Sequence, residues 1–197
     1  MLPFKIDLSG KTAVVTGGGG VLCGAMAEAL AACDANVAVL SRKLENAVTV
    51  ADRITAAGGN ARPYACDVTD RDSIESANAA IETEYGPCDI LINGAGGNAP
   101  SGTASVEVMQ PEHLQPADGV RTFYELEPEG IEFVFDVNFK GTVAATQVFT
   151  RSMAERQSGC VVNISSMSAF TPLTKVGAYS AAKAAVNNFT EWLKQQN

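Results

Sequence analysis

The chain alternates short apolar segments with longer segments whose apolar residues recur every three or four positions. Five segments have the first pattern and predict buried strands: Thr12–Thr16, Asn36–Ser41 and residues 61–68, 88–93 and 160–166. Five have the second pattern and predict helices: residues 22–32, 44–57, a segment beginning at Thr69, 128–156 and 179–196. Continuously apolar strands that alternate with helices are typical of βαβ units around a parallel sheet. We therefore predict one doubly wound α/β domain over residues 1–197.

Residues 97–127 interrupt this alternation. The segment is rich in Pro, Gly and polar residues and has no clear period, apart from an apolar cluster of Val106, Val108 and Met109. Loops of this length in compact domains commonly act as lids or binding loops. We predict an insertion that forms a flap over a substrate cleft and becomes ordered mainly when ligand binds. Arg121, its only Lys or Arg, is then a partner for a carboxylate.

The composition limits the classes of function. The 197 residues are 46% apolar and 18% charged, as in soluble globular domains. No apolar run approaches the roughly 18 residues that a membrane span needs, and the opening residues lack the layout of a secretory signal. A net charge of −8 provides no basic field for nucleic acid or an anionic membrane. We expect a cytoplasmic protein that binds a small molecule, with neither nucleic acid nor a membrane as partner.

Cysteine and histidine usage limits the kinds of chemistry that the chain can carry out. The five cysteines are odd in number, lie apart and include no C-x-x-C pair, which predicts reduced and mostly buried thiols: Cys23, Cys33, Cys66, Cys88 and Cys160. His113 is the single histidine, so a multi-histidine metal site is excluded and no metal is expected. A Ser-His-Asp hydrolase would depend on that one residue.

Glycines follow the first predicted strand directly. Residues 17–20 are all glycine, and Gly24 follows inside the first predicted helix. At a turn from strand to helix, bare backbone N–H groups and the helix dipole favour a pyrophosphate. No Gly-Lys-Ser/Thr follows, which argues against a P-loop. The alternative is a flexible turn without a ligand.

Three polar residues near the end of the chain form a second candidate site. Tyr179 and Lys183 are four positions apart on a predicted helix and therefore share one face. A phenol that titrates near ~10 is a poor acid or base at neutral pH unless a cation stabilises the phenolate, which Lys183 could do. Ser166 ends the fifth predicted strand, at the sheet edge where such folds bind ligands. The alternative is an exposed Tyr beside a solvated Lys.

Asn138 falls on the apolar face of its predicted helix, with Val134 and Thr142. A buried amide without partners is costly, so Asn138 requires inward hydrogen bonds. Either these bonds go to backbone groups, or the amide holds a water molecule or a catalytic side chain.

Together these residues resemble the short-chain dehydrogenase/reductase family over nearly the whole chain, from Lys11 to Trp192. The matching features are the glycine-rich turn, Asp67-Val68 after the third strand, Asn93-Gly94-Ala95-Gly96 after the fourth, Asn138, and then Ser166, Tyr179 and Lys183 at the family's spacing. The resemblance implies a Rossmann fold and hydride transfer between a nicotinamide cofactor and a carbonyl or secondary alcohol. It also implies a dimer or tetramer formed through the helices at 128–156 and 179–196.

The resemblance also implies a role for each site residue. Tyr179 is the general acid/base, Ser166 hydrogen-bonds the substrate oxygen, and Asn138 anchors a water of a proton relay. Lys183 binds the nicotinamide ribose and stabilises the phenolate. The residues that match cofactor-binding positions are Gly17, Gly19, Gly20, Val21, Leu22, Ser41, Arg42, Asp67, Val68, Asn93, Gly94, Ala95, Tyr179 and Lys183.

Longer strings around the turns, the insertion and the tyrosine resemble the D-mannonate oxidoreductase (fructuronate reductase-like) branch of this family, which implies a keto sugar acid as substrate. One alternative is a 3-oxoacyl or polyol reductase of the same family. The other is a truncated dinucleotide-binding protein without catalysis.

Two departures from the family pattern stand out. Val21 and Cys23 occupy the positions of the family's Gly-x-Gly at the end of the first turn. The sequence also ends at Asn197, inside the helix that carries Tyr179, whereas the family continues with further strands and a substrate lid. We expect the fold to lack these C-terminal strands, either because the chain is an incomplete record of a longer protein or because it is a truncated product.

The residues after the second strand bear on cofactor choice. An NAD enzyme is expected to place Asp or Glu there against the ribose 2′-hydroxyl, but the chain has Ser41, Arg42 and Lys43. The two cations could neutralise a 2′-phosphate. NADP(H) is therefore favoured. NAD(H) is the alternative if the two cations are simply exposed residues at the start of a helix and bind no phosphate.

Overall fold

The computed structural model describes residues 6–115 and 117–196, so the first five of the opening residues considered above for a secretory signal lie outside it. Five described strands form one parallel sheet: β1 (Thr12–Thr16), β2 (Asn36–Ser41), β3 (Asn60–Ala65), β4 (Ile90–Asn93) and β5 (Cys160–Asn163). Their spatial order is β3-β2-β1-β4-β5. This order is that of a doubly wound α/β sheet with the crossover between β1 and β4, and it confirms the predicted Rossmann fold.

Helices alternate with these strands as predicted. Their bounds are α1 (Val21–Ala31), α2 (Leu44–Ala56), α3 (Arg71–Tyr85), α4 (Pro128–Phe135), α5 (Gly141–Phe149), α6 (Arg151–Arg156) and α7 (Gly177–Lys194). The predicted first, second and last helices agree within about two residues at each end, the precision with which helix ends are defined.

Side chains of the central strands point alternately to the two faces of the sheet and contribute to two separate apolar cores. Ala13 and Val15 of β1 pack toward α1 and α2, whereas Val14 packs toward α3 and α5 on the opposite face. Successive side chains of a strand point to opposite faces, so one apolar strand fills both cores. The sheet is therefore covered by helices on both sides.

Two strands end at an earlier residue than the sequence pattern predicts. The third strand was expected at 61–68 but ends at Ala65, because the Asp67 carboxylate accepts hydrogen bonds from the Thr69 N–H and hydroxyl and turns the chain. The fifth was expected at 160–166 but ends at Asn163, since Ser166 already caps a turn of 3₁₀ helix. Pro63 lies in β3, which is an edge strand, as the missing N–H requires.

The predicted helix at 128–156 is wrong as a single α-helix. A π-helical turn over Asp136–Lys140 separates α4 from α5, and a break at Thr150 separates α5 from α6. The apolar period continues through the π turn, so the pattern alone did not mark it. π turns within helices are frequent at functional sites, and this one carries Asn138.

The chain divides into two compact units. The first contains the whole sheet and comprises residues up to 95 together with 141–164. The second comprises residues 96–140 and 165–196, which include the insertion, the π turn and α7. In the second unit, Phe189 of α7 packs edge-to-face against Phe139 and stacks on Trp192.

Residues near the two ends of the insertion, at 100–102 and 121–122, pack within the second unit. Gly102 and Gly130 are buried against each other, and a Cβ on Gly102 would lie 2.8 Å from the Gly130 carbonyl group. Arg121 donates through Nη1 to the Pro100 carbonyl, and Thr122 is fully buried. By contrast, the expected apolar cluster does not pack as a unit, because Val108 and Met109 are exposed. Residues at both ends of the insertion are therefore packed and hydrogen-bonded within the second unit.

The cysteines are reduced, as predicted, and four of the five are buried. Burial raises the pKa of Cys66 and that of Cys88 to about 12, so both thiols are unreactive at neutral pH. Within the described residues, no group of His, Cys, Asp and Glu could hold a metal ion. None of the helices in that part of the chain has the length and apolar character to cross a membrane.

Candidate active site

The glycine turn joins β1 to α1 in the first unit. Gly17 has φ +67°, and a Cβ there would lie 2.8 Å from the Ala95 nitrogen, so conformation and space both require glycine. Gly20 is the N-cap of α1, and no side chain caps this helix end. Val21, the first residue of α1, is 95% exposed. The N-terminus of α1 is therefore an open end of a helix, of the kind that binds phosphate.

Thr16 ties this turn to the end of β4. Its hydroxyl accepts hydrogen bonds from the N–H groups of Gly94 and Ala95 at 3.0 and 3.2 Å, and donates to the Ile92 carbonyl. The predicted cofactor-binding residues of the two turns are thus brought together. Thr16 was not among the predicted site residues, although its position directly before the glycines was visible in the sequence.

The end of β2 also adjoins the glycine turn. The Gly18 N–H donates to the Leu40 carbonyl at 2.9 Å, and a Cβ on Gly19 would lie 2.7 Å from the Asn46 Cβ in α2. Ser41 ends β2, and Arg42, which follows it, is exposed. The residues predicted to select the cofactor therefore lie beside the turn predicted to bind its pyrophosphate.

The side chains of the other predicted cofactor-binding residues are buried or already hydrogen-bonded to different extents. Val68 is buried, and Asp67 uses one carboxylate oxygen for the bonds to Thr69. Asn93 is buried and donates through Nδ2 to Thr146 Oγ1 and to Asn163 Oδ1, both at 2.9 Å. The Asn93 side chain thus joins β4 to β5 and α5, a structural function that the sequence pattern did not reveal.

Tyr179 and Lys183 lie one turn apart near the start of α7 in the second unit. Lys183 is only 4% exposed, and its Nζ lies 5.8 Å from the centre of the Tyr179 ring. The Ser165 hydroxyl donates to the Lys183 carbonyl. The two residues share one helix face, as the spacing predicts, and the ammonium is buried close to the partly buried phenol ring.

Asn138 is fully buried, and residues at the start of the insertion hold its amide. Its Nδ2 donates to the carbonyl oxygens of Gly97 at 2.7 Å and Val134 at 2.8 Å, while Oδ1 accepts from the Gly97 N–H at 3.3 Å. A Cβ on Gly96 would lie 2.6 Å from Asn138 Oδ1 and 3.4 Å from Lys183 Nζ. The amide oxygen and the ammonium therefore both lie close to Gly96, where they leave no room for a side chain.

Ser166 is fixed by a residue that sequence reasoning missed. Its Oγ accepts hydrogen bonds from the Ser168 N–H at 3.2 Å and from the Ser168 hydroxyl at 2.9 Å. Ser168 is fully buried. Both lone pairs of the Ser166 hydroxyl are thus used, which leaves its own O–H to be donated. The two-residue spacing typical of a Ser cap was the available signal.

Comparison with known proteins places the chain in a family. The family described as short chain dehydrogenase matches residues 11–197. A Bacillus subtilis protein named uncharacterized oxidoreductase UxuB is 47% identical over 193 residues, which are 98% of this chain and 68% of that protein.

Two solved structures have the same fold. A Haemophilus influenzae protein provisionally named a D-mannonate oxidoreductase, with bound NAD, is 47% identical with a TM-score of 0.90, over 95% of this chain and 66% of that one. A metagenomic short-chain oxidoreductase in complex with NADP is 27% identical with a TM-score of 0.81, over 95% and 76%.

This chain therefore spans about two thirds of the length of the Bacillus and Haemophilus relatives. The family match, the identity to these relatives and the sheet order agree with one another. The chain belongs to the short-chain dehydrogenase family.

Proposed function

We propose that this protein is an NADP(H)-dependent oxidoreductase that transfers a hydride between the nicotinamide and a carbonyl or secondary alcohol. The observation that carries the proposal is the buried Lys183 ammonium beside the Tyr179 ring. Burying a cation is costly, so its position next to a phenol indicates a function in stabilising charge on that phenol. Membership of the family supplies the class of reaction.

The glycine turn fits a dinucleotide. Gly17 and Gly19 leave no room for side chains, the start of α1 is uncapped, and the turn adjoins the end of β2. The Gly20 N–H already donates to the Gly17 carbonyl at 2.9 Å, so the backbone N–H groups of Val21 and Leu22 would hold the pyrophosphate. The cofactor would supply or accept the hydride, while Tyr179 would handle the proton.

Tyr179 is the proton donor and acceptor of this proposal. Its hydroxyl protonates the oxygen of the carbonyl during reduction and, as phenolate, removes the proton of the alcohol during oxidation. Ser166 donates its O–H to the same substrate oxygen, since its lone pairs already bind Ser168. Lys183 stabilises the phenolate, and Asn138, whose Oδ1 lies with Lys183 Nζ close to Gly96, would anchor a water that passes the proton on.

Cofactor choice is the first prediction. Ser41→Asp combined with Arg42→Ala is expected to lower affinity for NADPH relative to NADH by about tenfold or more. The new carboxylate repels a 2′-phosphate and accepts from a free 2′-hydroxyl, while a phosphate-binding cation is lost. Fluorescence titration with both cofactors measures the ratio. Arg151→Ala, which removes an exposed cation on α6, is the matched control. An unchanged ratio in the double variant would favour NAD(H), the cofactor bound by the Haemophilus relative.

We propose a keto sugar acid as substrate, with Arg121 as the partner of its carboxylate. The name of the Haemophilus relative and the position of Arg121 in the insertion support this. Arg121 is half-buried, its Nη1 is held by the Pro100 carbonyl, and no carboxylate of residues 6–115 or 117–196 forms an ion pair with it. A guanidinium held at one nitrogen can present its other N–H groups to a carboxylate.

Arg121→Ala is expected to raise KM for D-fructuronate at least about tenfold, the loss typical of one charge-assisted hydrogen bond. KM for a neutral ketose of similar size should change little, because that substrate has no carboxylate. Steady-state kinetics with both substrates separate recognition from a loosened insertion, which would raise both values. Equal changes for the two substrates would contradict the assignment.

A further inference from the structure

The space where a side chain of residue 94 would lie is occupied by Cys23. A Cβ built on Gly94 would overlap Cys23 Sγ and would lie 3.1 Å from the Thr16 carbonyl oxygen. Cys23 is the third residue of α1 and is only 4% exposed. Interiors are close-packed, so a sulfur in this position excludes any side chain at residue 94. The two residues are therefore matched in size.

This contact joins the two loops that carry the proposed cofactor-binding residues. Thr16 Oγ1 already accepts from the N–H groups of Gly94 and Ala95, and Gly17 is in close contact with the same two residues. Those contacts come from the turn before α1. Cys23 adds a contact from the helix itself, so the first turn of α1 is held against the end of β4 by the thiol.

We propose that Cys23 is a positioning residue for the cofactor site, acting through Gly94. The volume of Sγ sets the distance between the first turn of α1 and the loop after β4, and thereby aims the N–H groups at the start of α1. This inference rests on the proposed cofactor binding. It assigns to Cys23 a steric function, since the argument uses the size of the sulfur and none of its reactivity.

A set of variants tests the matching. Gly94→Ala is expected to weaken NADPH binding at least tenfold, because the new methyl group displaces Cys23 and with it the helix start. Cys23→Ala removes Sγ but leaves its Cβ 3.5 Å from the new methyl, an ordinary contact. The double variant Cys23→Ala, Gly94→Ala should therefore bind NADPH within threefold of Cys23→Ala alone. Cys23→Ser with Gly94→Ala keeps an atom in the way and should not recover binding.

Fluorescence titration with NADPH on the 197-residue chain is the first measurement, and thermal unfolding without cofactor is the second. Recovery in the alanine pair and not in the serine pair, in both measurements, supports the inference. If Gly94→Ala does not fold, recovery of folding in the alanine pair supports it as well. A chain that binds NADPH but shows no recovery overturns the inference alone. A chain that binds neither NADPH nor NADH overturns the proposed function and the inference with it, whatever the unfolding data show.

Discussion

Tyr179→Phe is expected to reduce turnover by ~10²–10⁴-fold, the usual contribution of general acid/base catalysis. The change keeps the ring and its position near Lys183 but removes the only proposed proton donor to the substrate oxygen. Affinity for NADPH should change little, because the ring still fills its place. Single-turnover reduction of the carbonyl and fluorescence titration of the cofactor measure the two effects separately.

Tyr124→Phe is the matched control for this prediction. Tyr124 also belongs to the second unit, is 67% exposed and lies in the insertion, so the same loss of a hydroxyl should leave turnover unchanged. If Tyr179→Phe retained most of its turnover, the assigned acid/base would be wrong. If instead the unsubstituted chain bound NADPH but showed no turnover, it would fit the dinucleotide-binding protein without catalysis that the sequence left open.

The sheet could be predicted because its strands are apolar on both faces. Thr12–Thr16 and Asn36–Ser41 were predicted with their observed bounds, since a buried parallel strand reads as an uninterrupted apolar run between polar turns. The edge strands were less well defined. In β3 and β5, exposed positions alternate with partly buried ones, so the apolar signal fades into the following turn.

The candidate site was predictable where it consists of reactive side chains, which the sequence shows directly. It was not predictable where backbone groups form the contacts. Tyr179 and Lys183 could be paired because a helix brings positions four apart onto one face. The partner of Asn138 could not be named, because the Gly97 N–H and carbonyl that hold it carry no side-chain signature. The π turn that carries Asn138 is likewise invisible to an apolar period.

The match between Cys23 and Gly94 belongs to the same class of hidden features. Each residue is unremarkable alone: a small apolar residue in a helix and a glycine after a strand. Only the fold brings the Sγ of one into the side-chain space of the other, across 71 positions of sequence. Such contacts depend on the distance between two loops, which local patterns do not encode.

Lys183 is the residue whose loss should affect both the proton and the cofactor. Its ammonium is buried, lies near the Tyr179 ring and, like Asn138 Oδ1, lies close to Gly96. In the proposed alcohol oxidation Tyr179 takes the proton of the alcohol as base, and a nearby cation stabilises the negative charge that this requires. The family resemblance adds a contact between Lys183 and the nicotinamide ribose.

Lys183→Met is therefore expected to lower kcat for alcohol oxidation by ~10²-fold or more, because the negative charge that Tyr179 acquires loses its stabilising cation. Methionine keeps most of the aliphatic stem, so packing around α7 should survive. NADPH affinity should fall as well, which distinguishes this variant from Tyr179→Phe. Lys194→Met, at the exposed far end of α7, is the control and should alter neither measurement. A variant with lower NADPH affinity but an unchanged kcat at saturating cofactor would assign Lys183 to cofactor binding alone.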